Sequence, residues 1–242
     1  MHGFTKIAVI GDSFCRHQEN KTDWPIHLGT LLGVDSFGKG NGGNSWWTAR
    51  RFLKRYYSTN TSDVLLIVVH TQYTRLPNDY ELPISMGVLK TTPTSSDNEM
   101  AESDPDGHLH SIAKNFYMSD LFSKDFYEWA QQAWIKELDD NADKFFKVIH
   151  IPAFDMVRFN VKNSMVLQPS PGLLSLRTLS DSDRGESLWF GPDERRNHFS
   201  EHNNIKLAET IAYTIRNTNK DYTGTLYFNN LDEWNFKPGW PK

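Results

Sequence analysis

The run VLLIVV, Val64 to Val69, is the most strand-like segment of the chain: continuous apolar residues, rich in β-branched side chains, between polar STNTSD and a histidine. Two further runs share its character, Lys6 to Ile10 and FFKVIHIPAF, which ends its strand at Pro152. A shorter one, Val34 to Phe37, is a plausible fourth. The segments between them have helical punctuation. In TDWPIHLGTLLG, Asp23 reads as the cap, Pro25 lies in the first turn and Gly33 is the stop. Trp46 to Tyr57 has helical spacing, and Ile205, Ala208, Ile211, Ala212 and Ile215 define a final helix. Strands that alternate with helices need right-handed crossovers, so the expected fold is α/β with a short parallel sheet between helix layers.

At 242 residues, one large domain is the default, expected over residues 1–217 with a C-terminal extension over 218–242. Two stretches interrupt the alternation. Residues 80–108 fill with Pro, Ser, Thr, Asn and Asp, and residues 155–191 lack a period, so both are expected as irregular surface insertions. Phe122, Phe126, Trp129 and Ala133 recur at steps of four, three and four, a stripe expected to pack into the core. The extension, DYTGTLYFNNLDEWNFKPGWPK, is aromatic and punctuated by Pro and Gly, and is expected to wrap the domain or meet a second copy or a virion partner.

With 26 basic and 30 acidic residues there is no basic excess, so nucleic acid is not an expected partner. No run approaches the roughly 18 apolar residues of a membrane span. The N-terminus turns polar after a strand's length, so a cytoplasmic protein is expected. The single cysteine, Cys15, reads as a small loop side chain. DPDGHLH groups Asp104, Asp106, His108 and His110 but reads as a solvated loop, and His198 with His202 lacks further ligands, so no metal or cofactor is expected.

In an open parallel sheet, reactive groups collect at the carboxyl ends of strands. The loops there hold Ser13 in IAVIGDSF, the Gly40 to Ser45 turn, His70 to Arg75, and His198 before the last helix. Taken in order, these blocks resemble the SGNH or GDSL hydrolases, serine esterases and lipases on a flavodoxin-like three-layer sheet. Through HTQYTR the chain is also similar to divergent SGNH-like proteins encoded by tailed bacteriophages. The resemblance implies Ser13 as the nucleophile and His198 as its base. The oxyanion would be held by the backbone N–H groups of Ser13 and Gly43, with Gly40 as the fallback.

Two blocks depart from the pattern. Where the family has Gly-x-Asn after the central strand, this chain has VVHTQYTR. Gln72 supplies the same carboxamide, with His70 or Thr71 as alternatives. Where the family has Asp-x-x-His, Arg195 stands three residues before His198. The acid is then Asp193 or Glu194, or else the pair works as a dyad oriented by a backbone carbonyl. Asn44, Trp46, Thr71 and Arg75 are expected to line the substrate site. Arg75 reads either as an ion-pair partner or as a contact for a substrate carboxylate, and Trp46 and Trp47 as core residues or sugar platforms. The implied activity is ester hydrolysis through an acyl-enzyme, with acetyl on a carbohydrate as the favoured substrate. The competing expectation is a virion or surface-binding protein that kept the fold and lost catalysis.

Overall fold

The computed structural model describes residues 3–15, 23–40, 45–57, 59–75, 108–154, 157–169 and 201–228. Six strands are found there: β1 (Lys6–Gly11), β2 (Asp35–Gly40), β3 (Thr61–His70), β4 (Phe145–Pro152), β5 (Met165–Pro169) and β6 (Thr225–Phe228). Five α-helices accompany them: α1 (Trp24–Leu32), α2 (Trp46–Lys54), α3 (His108–Met118), α4 (Lys124–Asp140) and α5 (Glu201–Asn217). All strand pairs are parallel, in the order β2-β1-β3-β4-β5-β6.

A parallel sheet covered on both faces explains why its strands read as continuous apolar runs. Successive residues alternate between two cores. Ile7, Val9, Leu65, Ile67, Val69, Ile149 and Ile151 pack with α1 and α5 through Trp24, Leu28, Leu207 and Ile211. Ala8, Ile10, Leu66, Val68 and Val148 pack with α2 and α4 through Trp46, Leu53, Trp134 and Leu138. Helix α1 starts at Asp23 as expected, although the Asp23 side chain makes no capping hydrogen bond, and it stops at Gly33 in the left-handed conformation (φ 67°).

The structure revises four expectations. The stripe on α4 does not face the core: Phe126 is 56% and Trp129 65% exposed, and Gln131, Trp134, Ile135 and Leu138 form the buried face instead. The period identifies the helix, but both of its faces carry aromatics, and the position of β3 and β4 decides which is covered. Within the stretch read as an irregular insertion, Met165–Pro169 forms β5, and its short run MVLQP is too brief to stand out as a pattern. His108 and His110, read as loop residues, begin α3. Residues 225–228 of the expected C-terminal extension form the sixth strand, paired with β5.

Candidate active site

The loop after β1 begins where the strand runs out of room for side chains. A Cβ on Gly11 would fall against the Val69 carbonyl oxygen, 2.8 Å from Val69 Cβ and 3.1 Å from Cys15 Sγ, so only glycine allows β1 and β3 to approach here. The chain then turns through one 3₁₀ turn, Ser13–Cys15. Asp12 organises that turn. Its side chain accepts the Phe14 N–H at 3.1 Å, and its carbonyl accepts the N–H and the thiol of Cys15, both at 3.1 Å.

Asp12 is fully buried and faces Arg75 from the loop after β3, with Nη1 3.5 Å from its carboxylate. The Arg75 guanidinium also lies over the Phe154 ring at 5.2 Å. Burial lowers the Arg75 pKa, and the Asp12 charge pulls it back up. Of the two expected roles for Arg75, the ion pair is therefore the one formed within the described residues. The loop 71–75 is pinned from two helices: Gln131 of α4 donates to the Thr71 carbonyl at 2.7 Å, and Tyr117 of α3 donates to that of Thr74 at 2.7 Å.

The turn is tied to the far face of the sheet through Trp24. Its indole N–H donates to the Phe14 carbonyl at 2.5 Å, and its backbone N–H donates to Asn204 in the first turn of α5 at 3.1 Å. The GDS turn, the start of α1 and the start of α5 therefore share one hydrogen-bonded corner. His198, Asp193, Glu194, Gly43 and Asn44 lie outside the described residues. Gln72 is half-buried, Thr71 is buried, and Trp46 is a core residue whose ring stacks on Trp134 at 6.1 Å.

Cys15 is buried in the α1 and α5 core. Burial, with the Asp12 charge beside it, pushes its thiol pKa well up. It is no nucleophile despite its place next to the GDS triplet. The folded protein is expected to resist a thiol-titrating disulfide reagent over hours and to release one equivalent once denatured, and rapid reaction of the native chain would contradict this burial.

Sequence spacing gives no sign of a second feature, a buried relay beneath the carboxyl edge. His70 Nε2 lies 2.8 Å from His150 Nδ1, His150 Nε2 lies 2.9 Å from Ser164 Oγ, and Ser164 donates to Asp139 Oδ1 at 2.6 Å. Burial would raise the Asp139 pKa. The hydrogen bonds from Ser164 and from the Lys162 and Asn163 N–H groups, with His150 nearby, outweigh it and hold the carboxyl below its usual value. An ionised carboxylate only accepts, so the Ser164 hydrogen points at Asp139 and Ser164 Oγ accepts from His150 Nε2–H. His150 Nδ1 is then bare and accepts from His70 Nε2–H. His70 is left with an unprotonated Nδ1.

Both imidazoles are held neutral. Burial, then His150, pushes His70 well below its ordinary value, and burial lowers His150 to about 4 against the pull of Asp139. The fold thus binds fewer protons than the unfolded chain between roughly pH 6.5 and 4. Stability from this source is complete above 6.5 and is lost as the pH falls through that window, by at most about 3 kcal/mol for His150. Urea midpoints measured from pH 7 to 4 should fall accordingly, and His150→Gln should flatten the dependence. An equal slope in the variant would show that the pair is not its source.

Comparison with family models, curated proteins and solved structures returns no match. The site therefore has to be read from its own chemistry. Among the described residues no group of His, Cys, Asp and Glu could hold a metal ion, and no helix is long and apolar enough to cross a membrane.

Proposed function

We propose that the chain is a serine ester hydrolase of the SGNH type, with Ser13 as the nucleophile and His198 as its base. One arrangement carries the reading. Asp12, beside Ser13 at the end of β1, is buried and faces Arg75 from the loop after β3, so two of the four sequence blocks meet. They meet between β1 and β3, where the strand order β2-β1-β3 reverses direction, the crevice in which open α/β sheets bind ligands. The start of α5, which follows His198 in sequence, reaches the same corner through Asn204 and Trp24.

In the proposed reaction, Ser13 Oγ attacks the acyl carbon while His198 takes its proton, and the alcohol leaves with that proton. Water then attacks the acyl-enzyme, giving its proton to His198, and the carboxylic acid departs as Ser13 is regenerated. The oxyanion is held by the N–H groups of Ser13 and Gly43 and by Gln72. Loss of one such donor typically costs about 3 kcal/mol, on the order of a hundredfold in rate. Asp193, or Glu194 in its place, orients His198. The favoured substrate is a small acyl ester, acetyl on a carbohydrate. A fluorophosphonate probe tests the nucleophile: the wild type should hydrolyse acetyl esters, label, and lose that activity on labelling, and Ser13→Ala should neither label nor hydrolyse. A wild type that does not label, or a variant that labels equally, overturns the reading.

One observation favours the second reading, a protein that kept the fold as a binding module of a virion or other surface. Ile112, Met118, Leu121, Phe126 and Trp129 are large apolar side chains exposed along α3, its connection and α4. An unlabelled wild type whose partner binding is lost on Trp129→Glu would support it.

A further inference from the structure

Six polar groups on the α2 and α4 side of the carboxyl edge belong to residues more than nine-tenths buried, and none has a hydrogen-bond partner among the described residues. They are Ser45 Oγ and Trp46 Nε1 where α2 begins, His70 Nδ1 and Thr71 Oγ1 where β3 ends, and Gln131 Oε1 and Trp134 Nε1 on α4. Their residues are neighbours. Trp46 stacks on Trp134, the His70 and Trp134 rings are 5.1 Å apart, and Gln131 is bonded to the Thr71 carbonyl through its other terminal atom. Left unsatisfied, six such groups would cost about as much as the whole stability of a typical domain. A cluster of this kind calls for a polar occupant.

The cluster's own chemistry restricts the occupant. The two indole N–H groups can only donate, Gln131 Oε1 can only accept, and the two hydroxyls do either. The relay settles the sixth: because Asp139 fixes the hydrogen direction through Ser164 and His150, His70 Nδ1 offers a lone pair and not a proton. None of the six carries a charge, so an ionised ligand group would be desolvated there without compensation. Groups that both donate and accept, and are neutral, match all six.

We propose that this cluster is a binding site for adjacent hydroxyl groups of a neutral ligand, such as a sugar or polyol carries, with His70 Nδ1 and Gln131 accepting and the indoles of Trp46 and Trp134 donating. The last β1–β3 pair is Ile10 with Val68, and Asp12 and His70 each follow it by two residues, at the strand ends from which the GDS turn and the loop 71–75 leave. The site thus adjoins the GDS turn. On the ester-hydrolase reading, and only for this assignment of role, the hydroxyls belong to the alcohol part of the substrate.

Nitrogen-15 NMR on the full chain tests the proposal without turnover. Methyl β-D-glucopyranoside, which has no ester and no charge, and glycerol as a smaller probe are titrated against the indole N–H and histidine nitrogen signals. The expected result is a bare His70 Nδ1 at pH 7 and saturable shifts of that nitrogen and of the Trp46 and Trp134 indoles with at least one probe. The apparent affinity should weaken at least tenfold in Gln131→Met and in Trp134→Phe, with unfolding curves confirming that both variants fold. Ser13→Ala should titrate like the wild type, so binding and ester hydrolysis can fail separately. A protonated Nδ1, an absence of saturable shifts with both probes, shifts unchanged in both variants, or cross-peaks to internal water alone would overturn the site.

Discussion

Gly11→Ala is expected to remove most of the stability of the carboxyl edge, lowering the unfolding midpoint by about 10 °C or leaving the chain insoluble. The added methyl would overlap the Val69 carbonyl oxygen and press on Val69 Cβ at 2.8 Å and Cys15 Sγ at 3.1 Å. The first of these is strand backbone at the carboxyl end of the β1–β3 pairing and cannot swing aside as a side-chain tip could. Overpacking a tight core costs about 1–3 kcal/mol, and displaced strand backbone adds a comparable amount, about 4 kcal/mol together. For a chain of this size, each kcal/mol moves the midpoint by about 2–4 °C. Val69→Ala should not rescue the variant, because alanine keeps both the Cβ and the backbone carbonyl that the added methyl meets. Gly33 supplies the control. Its φ of 67° is left-handed, but nothing lies within 4 Å of an added Cβ, so Gly33→Ala should cost only about 1–2 kcal/mol of backbone strain. Equal losses at the two positions would show that close strand approach is not why Gly11 precedes Asp12.

That contrast marks what a linear sequence can and cannot convey. The runs that became β1, β3 and β4 were legible because a parallel strand buried on both faces needs unbroken apolar residues. Helix α1 was legible because Pro25 and Gly33 act locally, on their own backbone. The placement of Ser13 at a strand end follows from the same local logic. The Asp12–Arg75 pair is different, since both residues were in view but only the register of β1 against β3 brings them together. The relay lies further out of reach. His70, His150, Ser164 and Asp139 come from β3, β4, the approach to β5 and the end of α4, and no spacing along the chain encodes their order. Gln131 sits mid-helix as one polar residue among many. Its role on Thr71 exists only because α4 crosses the end of β3. The one available signal was negative: a glutamine beside Trp134, Ile135 and Leu138 interrupts an apolar face, and a buried polar interruption needs a partner.

The Asp12–Arg75 contact should decide how much of the GDS turn is held by charge. Arg75→Met keeps the length and the apolar stem of the side chain, and so much of its packing over Phe154, while removing the cation that faces a fully buried carboxylate. Stripping one partner from a buried pair typically costs about 3–5 kcal/mol, because the remaining charge is left uncompensated, far more than the pair itself contributes over an apolar replacement. The variant is therefore expected to unfold about 10 °C below the wild type. The second substitution separates charge from packing. Asp12→Asn removes the stranded charge and keeps the oxygen that accepts the Phe14 N–H, so Asp12→Asn/Arg75→Met should be more stable than Arg75→Met alone. If the double variant is no better, the loss comes from the guanidinium's packing and its other contacts rather than from the ion pair. The same pair of variants bears on the nucleophile. An ordered Asp12 sets the turn in which Ser13 sits, so fluorophosphonate labelling should slow in Arg75→Met and recover in the double variant at a temperature where both are folded. Stability that recovers without labelling would mean that the Arg75 charge itself, and not the geometry it maintains, is what Ser13 requires.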